Sequence, residues 1–88
     1  ADRLFLGVDG LDPLIGVTTP DPQEATLNAL MVRVSRETVA VLDASKLGQR
    51  SLSVIAPVAD IHVVITDTSA PREATDTLRE KGVQVMLV

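Results

Sequence analysis

The chain contains no cysteine, tryptophan or tyrosine, and Phe5 is its single aromatic residue. Without cysteine, neither a disulfide nor a cysteine metal site can form, and we expect a reducing, cytoplasmic compartment. A core without aromatic rings beyond Phe5 must be built from valine, leucine, isoleucine and alanine. Such side chains are typical of a parallel sheet that is covered by helices.

Clustered positive charge and long apolar runs are also missing. The 88 residues carry a formal net charge of −4, and the lysines and arginines are scattered along the chain. This balance argues against nucleic-acid binding by the chain itself. No apolar run is long enough to span a bilayer, and the apolar segment 4–8 is too short for a signal peptide. We therefore expect one small domain, or part of one, with no membrane partner.

Short β-branched runs alternate with longer segments of helical periodicity. Runs rich in valine, isoleucine and leucine predict four strands, at 3–8, 38–43, 61–66 and 83–88. Helical spacing predicts one helix from 22 to about 35 and a second at 71–81, with Gly82 just past its end. The segments 9–20 and 44–60 are predicted to be loops, the second with a short helical turn.

Both predicted helices carry start signals. In the first, Asp21 is the expected N-cap, Pro22 the first helical residue and Glu24 the capping-box partner. Its expected buried stripe consists of Leu27, Leu30, Met31 and Val34. The segment 67–69 is the expected cap of the second helix. That helix has a thin apolar stripe and is expected to lie on the outside of the fold; the stripe consists of Ala70, Ala74 and Leu78.

The order of elements predicts an α/β fold built on a four-stranded parallel, Rossmann-like sheet. Helical crossovers between apolar strands imply parallel pairing and right-handed connections. Two helices leave much of such a sheet uncovered, although parallel sheets normally have both faces covered. The chain is therefore expected to be half of a larger domain or to complete itself by association. A homo-oligomer is the expected state.

Polar residues follow the predicted strands where they end, and the carboxyl ends of parallel strands are where open α/β sheets bind ligands. A lysine there suits a phosphate, and an aspartate suits sugar hydroxyls. Two threonines precede the first helix, whose N-terminus favours anions. A sugar or sugar-phosphate site is therefore predicted at Asp9, Gly10, Asp12, Thr18, Thr19, Asp43, Ser45 and Lys46.

Several of these residues also have plainer interpretations. In the plainer interpretation, Asp43 and Lys46 serve only to form hydrogen bonds within their loop and with each other. Asp12 precedes Pro13, and this pair of residues is common in turns. His62 is expected to be a surface or interface histidine. The sequence has no nucleophile elbow, no Cys–His pair, no P-loop and no cluster of metal ligands, so it predicts no catalytic residue, cofactor or metal.

A family resemblance is carried by three segments: FLGVDGLDPLIGVTTPDPQEA at 5–25, VLDASKLG at 41–48 and IHVVITD at 61–67. Their order and spacing resemble the C-terminal half of the effector-binding domain of DeoR-type bacterial transcriptional regulators, over essentially the whole chain. The resemblance implies a fold shared with ribose-phosphate isomerase, so that the chain would be half of an isomerase-like sensor domain. It also implies a phosphorylated sugar or related metabolite as effector, which controls binding of operator DNA by a separate N-terminal helix-turn-helix domain. Carried over by motif, the implied contacts are Asp9, Gly10, Asp12, Thr18, Thr19, Glu24, Asp43 and Lys46.

The chain departs from the isomerase pattern at 16–22, GVTTPDP, where the isomerases have a lysine. Acids without a nearby cation bind hydroxyls but do not stabilise the charge that develops on oxygen during isomerisation. Sensing is therefore favoured over turnover, and the chain is not expected to be an enzyme. The alternatives are a fragment of a sugar-phosphate isomerase and an oligomerisation half-domain without a working site.

Overall fold

A computed structural model describes residues 2–88, which form two sheets and two α-helices. The strands are β1 (Arg3–Gly7), β2 (Gly10–Asp12), β3 (Gly16–Thr19), β4 (Glu37–Val41), β5 (Ser53–Pro57), β6 (Val63–Thr66) and β7 (Gln84–Leu87). The helices are α1 (Pro22–Arg33) and α2 (Arg72–Glu80). Short 3-10 turns lie at Ala44–Lys46 and Val58–Asp60.

The main sheet is the predicted four-stranded parallel sheet, in the order β1-β4-β6-β7. Each strand lies within one residue of its predicted segment or inside it. One face of this sheet forms the core, where Leu6 pairs with Ala40 and Ala40 with Val64, and all three are buried. The prediction of an α/β fold with parallel strands is confirmed.

The opposite face of the main sheet is apolar and largely uncovered. Register places Phe5 beside Val39, and Val41 beside Ile65, which in turn pairs with Met86. We call this surface the open face: Phe5, Val39, Val41, Val63, Ile65 and Met86. Val39 is buried, but the Phe5 residue is 61% exposed and Met86 is exposed as well. Parallel sheets normally have both faces covered. The exposed open face agrees with the prediction that two helices leave much of the sheet uncovered.

A second, antiparallel sheet is formed by β2, β3 and β5, which lie in the two segments predicted to be loops. Segment 9–20 contains β2 and β3, and segment 44–60 contains β5, so the prediction of loops without strands is wrong in both places. The short helical turn predicted in the second segment is present, at Ala44–Lys46. Every residue of β2 and β3 is buried. Strands that are buried on both faces lack the alternation by which a strand is recognised in a sequence. The run SVIAP of β5 did carry an apolar, β-branched signal.

Helix α1 begins as predicted but buries a different face. The Asp21 side chain accepts hydrogen bonds from the backbone N–H groups of Gln23 and Glu24, which confirms the N-cap. The predicted buried stripe is wrong, because its members are exposed: Leu27, Leu30, Met31 and Val34. The helix packs on β5 and β3 through a face that includes buried Ala25 and Val32.

Helix α2 covers the end of the main sheet next to β7. Leu78 and Thr75 are its buried residues, in keeping with the predicted outer helix. The predicted cap at 67–69 is wrong: the N-cap position is Pro71, which makes no side-chain capping bond, and Asp67 bonds elsewhere. Gly82, at φ +88°, follows the helix as predicted.

Candidate functional site

Acidic residues of the predicted site follow the carboxyl ends of strands in the main sheet. Because β1, β4 and β6 are parallel, their last residues, Gly7, Val41 and Thr66, lie at the same edge. The segments that follow them contain Asp9, Asp43 and Asp67. The sequence predicts this convergence from strand order alone, and the register confirms it.

Backbone contacts join the first two motifs directly. Leu11 forms a parallel bridge with Leu47, and the N–H of Gly48 donates to the Leu11 carbonyl at 2.7 Å. A Cβ atom at Gly10 would lie 2.9 Å from the Gln49 carbonyl oxygen, closer than real Cβ atoms come. Glycine is therefore required at this position for the DGLD and DASKLG segments to meet.

Asp12 is buried, and its carboxylate is fully engaged within the chain. Oδ1 accepts hydrogen bonds from the N–H groups of Leu14 at 2.8 Å and Ile15 at 3.3 Å. Oδ2 accepts a bond of 2.6 Å from Nε of Arg50. The pKa of the Asp12 carboxyl is lowered below its ordinary value of 3.8, chiefly because Asp12 accepts the hydrogen bond from Arg50; burial acts in the opposite direction. This carboxylate holds the β2–β3 turn and an arginine at once.

Asp12→Asn is expected to destabilise the chain by about 1 kcal/mol near neutral pH, since the arginine end of the pair is largely exposed. The native pKa is lowered, so the stabilisation is present in full above pH 3.8 and is lost as the pH falls below that value. Chemical denaturation of both proteins at a series of pH values checks this. Asp60→Asn is the control, because Asp60 is exposed and its side chain has no hydrogen bond within residues 2–88. A stability difference for Asp12→Asn that persists unchanged at acid pH would contradict the charge-based explanation.

The loop after β4 is organised by Asp43, while Lys46 is left without an ion pair. Asp43 Oδ1 accepts hydrogen bonds from the Ser45 N–H at 3.1 Å and from the Ser45 hydroxyl. The Lys46 N–H donates to the Asp43 carbonyl at 3.0 Å and closes the 3-10 turn. The Lys46 ammonium forms no salt bridge with any group in residues 2–88. Asp43 therefore satisfies its loop, but it does not neutralise Lys46.

Asp67 ties the loop after β6 to the loop after β4. Its Oδ2 accepts a hydrogen bond of 2.9 Å from the Ala44 N–H, next to Asp43 in the sequence. Its Oδ1 accepts bonds from the Ser69 N–H at 3.0 Å and from the Ser69 hydroxyl. The bonds from Ser69 and Ala44 lower the pKa of Asp67, so it is an anion that fixes the Lys46 loop in place.

The threonines before α1 have structural partners. Thr18 Oγ1 accepts the Ser51 N–H at 2.9 Å, and Thr19 Oγ1 accepts the Asp21 N–H at 3.3 Å; both threonines are buried. Because the Asp21 N–H donates to Thr19, the predicted capping-box bond, in which the Glu24 carboxylate would accept this N–H, is not formed. The side chains of Glu24 and Asp9 are exposed and have no hydrogen bond within residues 2–88. As ligand contacts, all nine candidate residues remain predictions.

Two concavities of the surface differ in their relation to these residues. A groove of about 370 Å³ lies between the site and α2, and its lining includes Asp12, Leu47, Gly48, Pro71 and Ala74. A wider groove of about 850 Å³ runs along α1 and β5 and is lined by none of the predicted site residues. Proximity to the motifs therefore favours the smaller groove as part of the site.

Sequence reasoning did not single out Arg50, which the structure places against Asp12. Its signal was weak, because it lies in a segment predicted as a loop and outside the quoted motifs.

Within residues 2–88, no helix is long and apolar enough to cross a membrane. In the same range, no three histidine, aspartate or glutamate side chains gather into a metal site.

Comparison with known families identifies the chain at the level of its domain. The family model described as "DeoR C terminal sensor domain" matches residues 1–68. The chain belongs to this family. This is the family that the three sequence segments resemble. The expectation of an effector-sensing domain that is not an enzyme is confirmed by the family match and by the relatives.

Named relatives of this sensor domain are transcriptional regulators. The chain is 40% identical over 87 residues to a putative aga operon transcriptional repressor of Escherichia coli O157:H7, covering 99% of this chain and 32% of the relative. It is 39% identical over 85 residues to the HTH-type transcriptional regulator GlpR of Haloferax volcanii, covering 97% of this chain and 33% of the relative. The transcriptional repressor AccR of Agrobacterium fabrum is 36% identical over 81 residues, covering 91% of this chain and 31% of the relative. The chain thus spans about a third of the length of these relatives.

Proposed function

We propose that this sensor domain binds a phosphorylated sugar or a related metabolite at the carboxyl edge of its main sheet. The single observation that carries the proposal is Lys46. Its ammonium has no ion pair within residues 2–88, although its backbone is fixed by the bond from its N–H to the Asp43 carbonyl and by the Asp67–Ala44 bond. A cation held on an ordered loop and left unneutralised is suited to an anionic ligand.

The acidic residues of the site supply the complementary half of sugar recognition. Carboxylates accept hydrogen bonds from hydroxyl groups, and Asp9 is an exposed carboxylate at the same edge as Lys46. Two of the other candidate acids, Asp43 and Asp12, already accept bonds from the chain, whereas Glu24, in the first turn of α1, accepts none within residues 2–88. This division favours Lys46 for the phosphate and Asp9 for a hydroxyl, with Asp43 and Asp12 holding the loops.

In the proposed regulator, binding of the effector changes the affinity of a separate DNA-binding module for operator DNA. The regulator names of the relatives support this role, and the −4 net charge of the chain gives it no basic surface for DNA of its own. Operator contact is therefore assigned to a module outside these 88 residues. A regulator of this kind acts where its operator DNA is found, and a cytoplasmic location is part of the proposal.

The proposal is tested by calorimetric titration of the full-length gene product that carries this chain. The probes are aldose and ketose phosphates, among them ribose 5-phosphate and fructose 6-phosphate, each beside its unphosphorylated parent sugar. We expect saturable binding of at least one phosphate ester and much weaker binding of its parent sugar. Absence of binding across the panel, or equal binding of both forms, would overturn the proposal.

Self-association through the open face is the proposed state of the isolated chain. The open face is apolar, it belongs to a parallel sheet, and such faces are normally covered. The occupant proposed here is a second copy of the chain, because both copies offer the same apolar surface, whose Arg3 and Glu37 charges are paired with each other at its end. Sedimentation velocity of the 88-residue chain is expected to show a dimer or a larger species at micromolar concentration.

A charge on the open face is expected to abolish this association. Phe5→Glu places a carboxylate on the open face, on edge strand β1 beside Val39, and should give a monomer at the same concentration. Leu52→Glu is the matched control, because Leu52 is 94% exposed and lies outside the open face. A wild-type chain that sediments as a monomer at high concentration would show that the open face does not bind a second copy.

A further inference from the structure

Arg50 is the one arginine whose side chain is held against a candidate site residue in the described part of the chain. Its Nε donates to Asp12 Oδ2 at 2.6 Å, and Asp12 is itself buried. The backbone on either side of Arg50 is also fixed, by the bond from Gly48 to Leu11 and by the bond from the Ser51 N–H to Thr18. The position and direction of this guanidinium are therefore set before any ligand arrives.

The outer half of the same guanidinium is free to bind. Neither terminal nitrogen of Arg50 has a hydrogen-bond partner within residues 2–88, and the side chain is 61% exposed. The two terminal nitrogens form the fork with which arginine binds phosphate oxygens. An arginine anchored through Nε keeps that fork available, so the Asp12 bond orients the side chain without consuming its ligand-binding groups.

Arg50 also lies close to Lys46 along a compact stretch of chain. The two residues flank Leu47 and Gly48, which contact Leu11 of β2, and the Gln49 N–H turns back to the Lys46 carbonyl. Two cations four positions apart thus border the same contact with β2. An anion at this edge would find the Lys46 ammonium, unpaired within residues 2–88, and the Arg50 guanidinium that Asp12 holds.

We propose that Arg50 contacts the phosphate group of the effector, and that Asp12 is a positioning residue that holds the Arg50 guanidinium rather than a ligand contact. The inference rests on the proposed function and adds a residue to its site. It gives the buried acid of the DGLD segment a purpose that agrees with its geometry, since both Asp12 oxygens are occupied by groups of the chain.

The test compares variants of Arg50 in the full-length gene product by calorimetry. The probes are the phosphate ester that binds the wild type in the panel above and its parent sugar, with inorganic phosphate as competitor. Arg50→Gln is expected to weaken binding of the ester by about 10- to 100-fold and to leave binding of the parent sugar unchanged. Arg50→Lys keeps the charge but loses the fork, so its affinity for the ester should lie between those of the wild type and Arg50→Gln. Arg33→Gln, at the end of α1, is the control and should bind as the wild type does.

The role of Asp12 is tested by a double-mutant cycle. If Asp12 acts through Arg50, Asp12→Asn weakens ester binding in the wild type but adds little in the Arg50→Gln background. Additive losses would show that Asp12 contacts the ligand itself and would overturn its positioning role. Ester binding by Arg50→Gln at wild-type affinity would overturn the phosphate contact while leaving the proposed function intact. Failure of the wild type to bind any ester would overturn both.

Discussion

Lys46→Ala is expected to weaken binding of the phosphorylated effector by about 10- to 150-fold, or about 1.5–3 kcal/mol. The ammonium has no salt bridge within residues 2–88, so its removal costs the fold little and the ligand much. Titration calorimetry measures the affinity, and the melting temperature of the same sample shows that the fold is unchanged.

A matched control separates a specific contact from a change in overall charge. Arg36→Ala removes one positive charge just before the amino end of β4, whereas Lys46 follows the carboxyl end of the same strand. The Arg36 side chain is highly exposed and lies at the opposite edge of the sheet. Its loss should leave effector affinity within about twofold of the wild type, since exposed charges far from the ligand are screened by salt. Wild-type affinity in Lys46→Ala would remove the main argument for an anion site in this chain.

Gly16→Ala is expected to destabilise the chain by about 3 kcal/mol or more, the largest stability effect predicted for a single substitution. Gly16 has φ +132°, a conformation that L side chains rarely adopt. An added Cβ would lie 2.1 Å from the carbonyl oxygen of Ala56 and 2.8 Å from Cα of Pro57. Both are backbone atoms of β5, so the clash can be relieved only by separating β3 from β5.

Denaturant unfolding of the purified variants measures this effect, with Gly7→Ala as the control. A Cβ at Gly7 would have no neighbour within 4 Å, and Gly7 does not have positive φ. Its substitution should change the free energy of unfolding by no more than about 1 kcal/mol. Equal stabilities for Gly16→Ala and the wild type would show that β3 and β5 are not paired as described.

The parts of the fold that follow from local chemistry were predictable from the sequence. Asp21 and Pro22 mark the start of α1 because a side-chain acceptor and a residue without an N–H both suit that position. The apolar runs of β1, β4, β6 and β7 and the crossovers between them fix parallel order. The shared edge of Asp9, Asp43 and Asp67 follows from that order.

Features that depend on contacts between distant segments were not predictable in this way. The stripe of Leu27 and Leu30 shows that α1 has an apolar face, but periodicity does not tell which neighbour each face meets. The second sheet joins β3 to β5, which are separated by all of α1 and β4. The Asp12–Arg50 pair spans 38 positions and depends on that sheet. The ligand contacts themselves are predictions still, from motif and geometry together.

The pairing of the main sheet has a consequence for how the chain folds. One of its two inner strands, β4, pairs on one side with β1, where Arg3 meets Glu37, and on the other with β6, where Val39 meets Val63. Neither neighbour is close to β4 in sequence, so the ends of long loops must be brought together before these hydrogen bonds form. Chains dominated by such distant pairings fold on the scale of milliseconds to seconds. Because β4 is paired on both sides, we expect its amides to exchange with solvent only through global unfolding, which makes them the slowest probes of the whole domain.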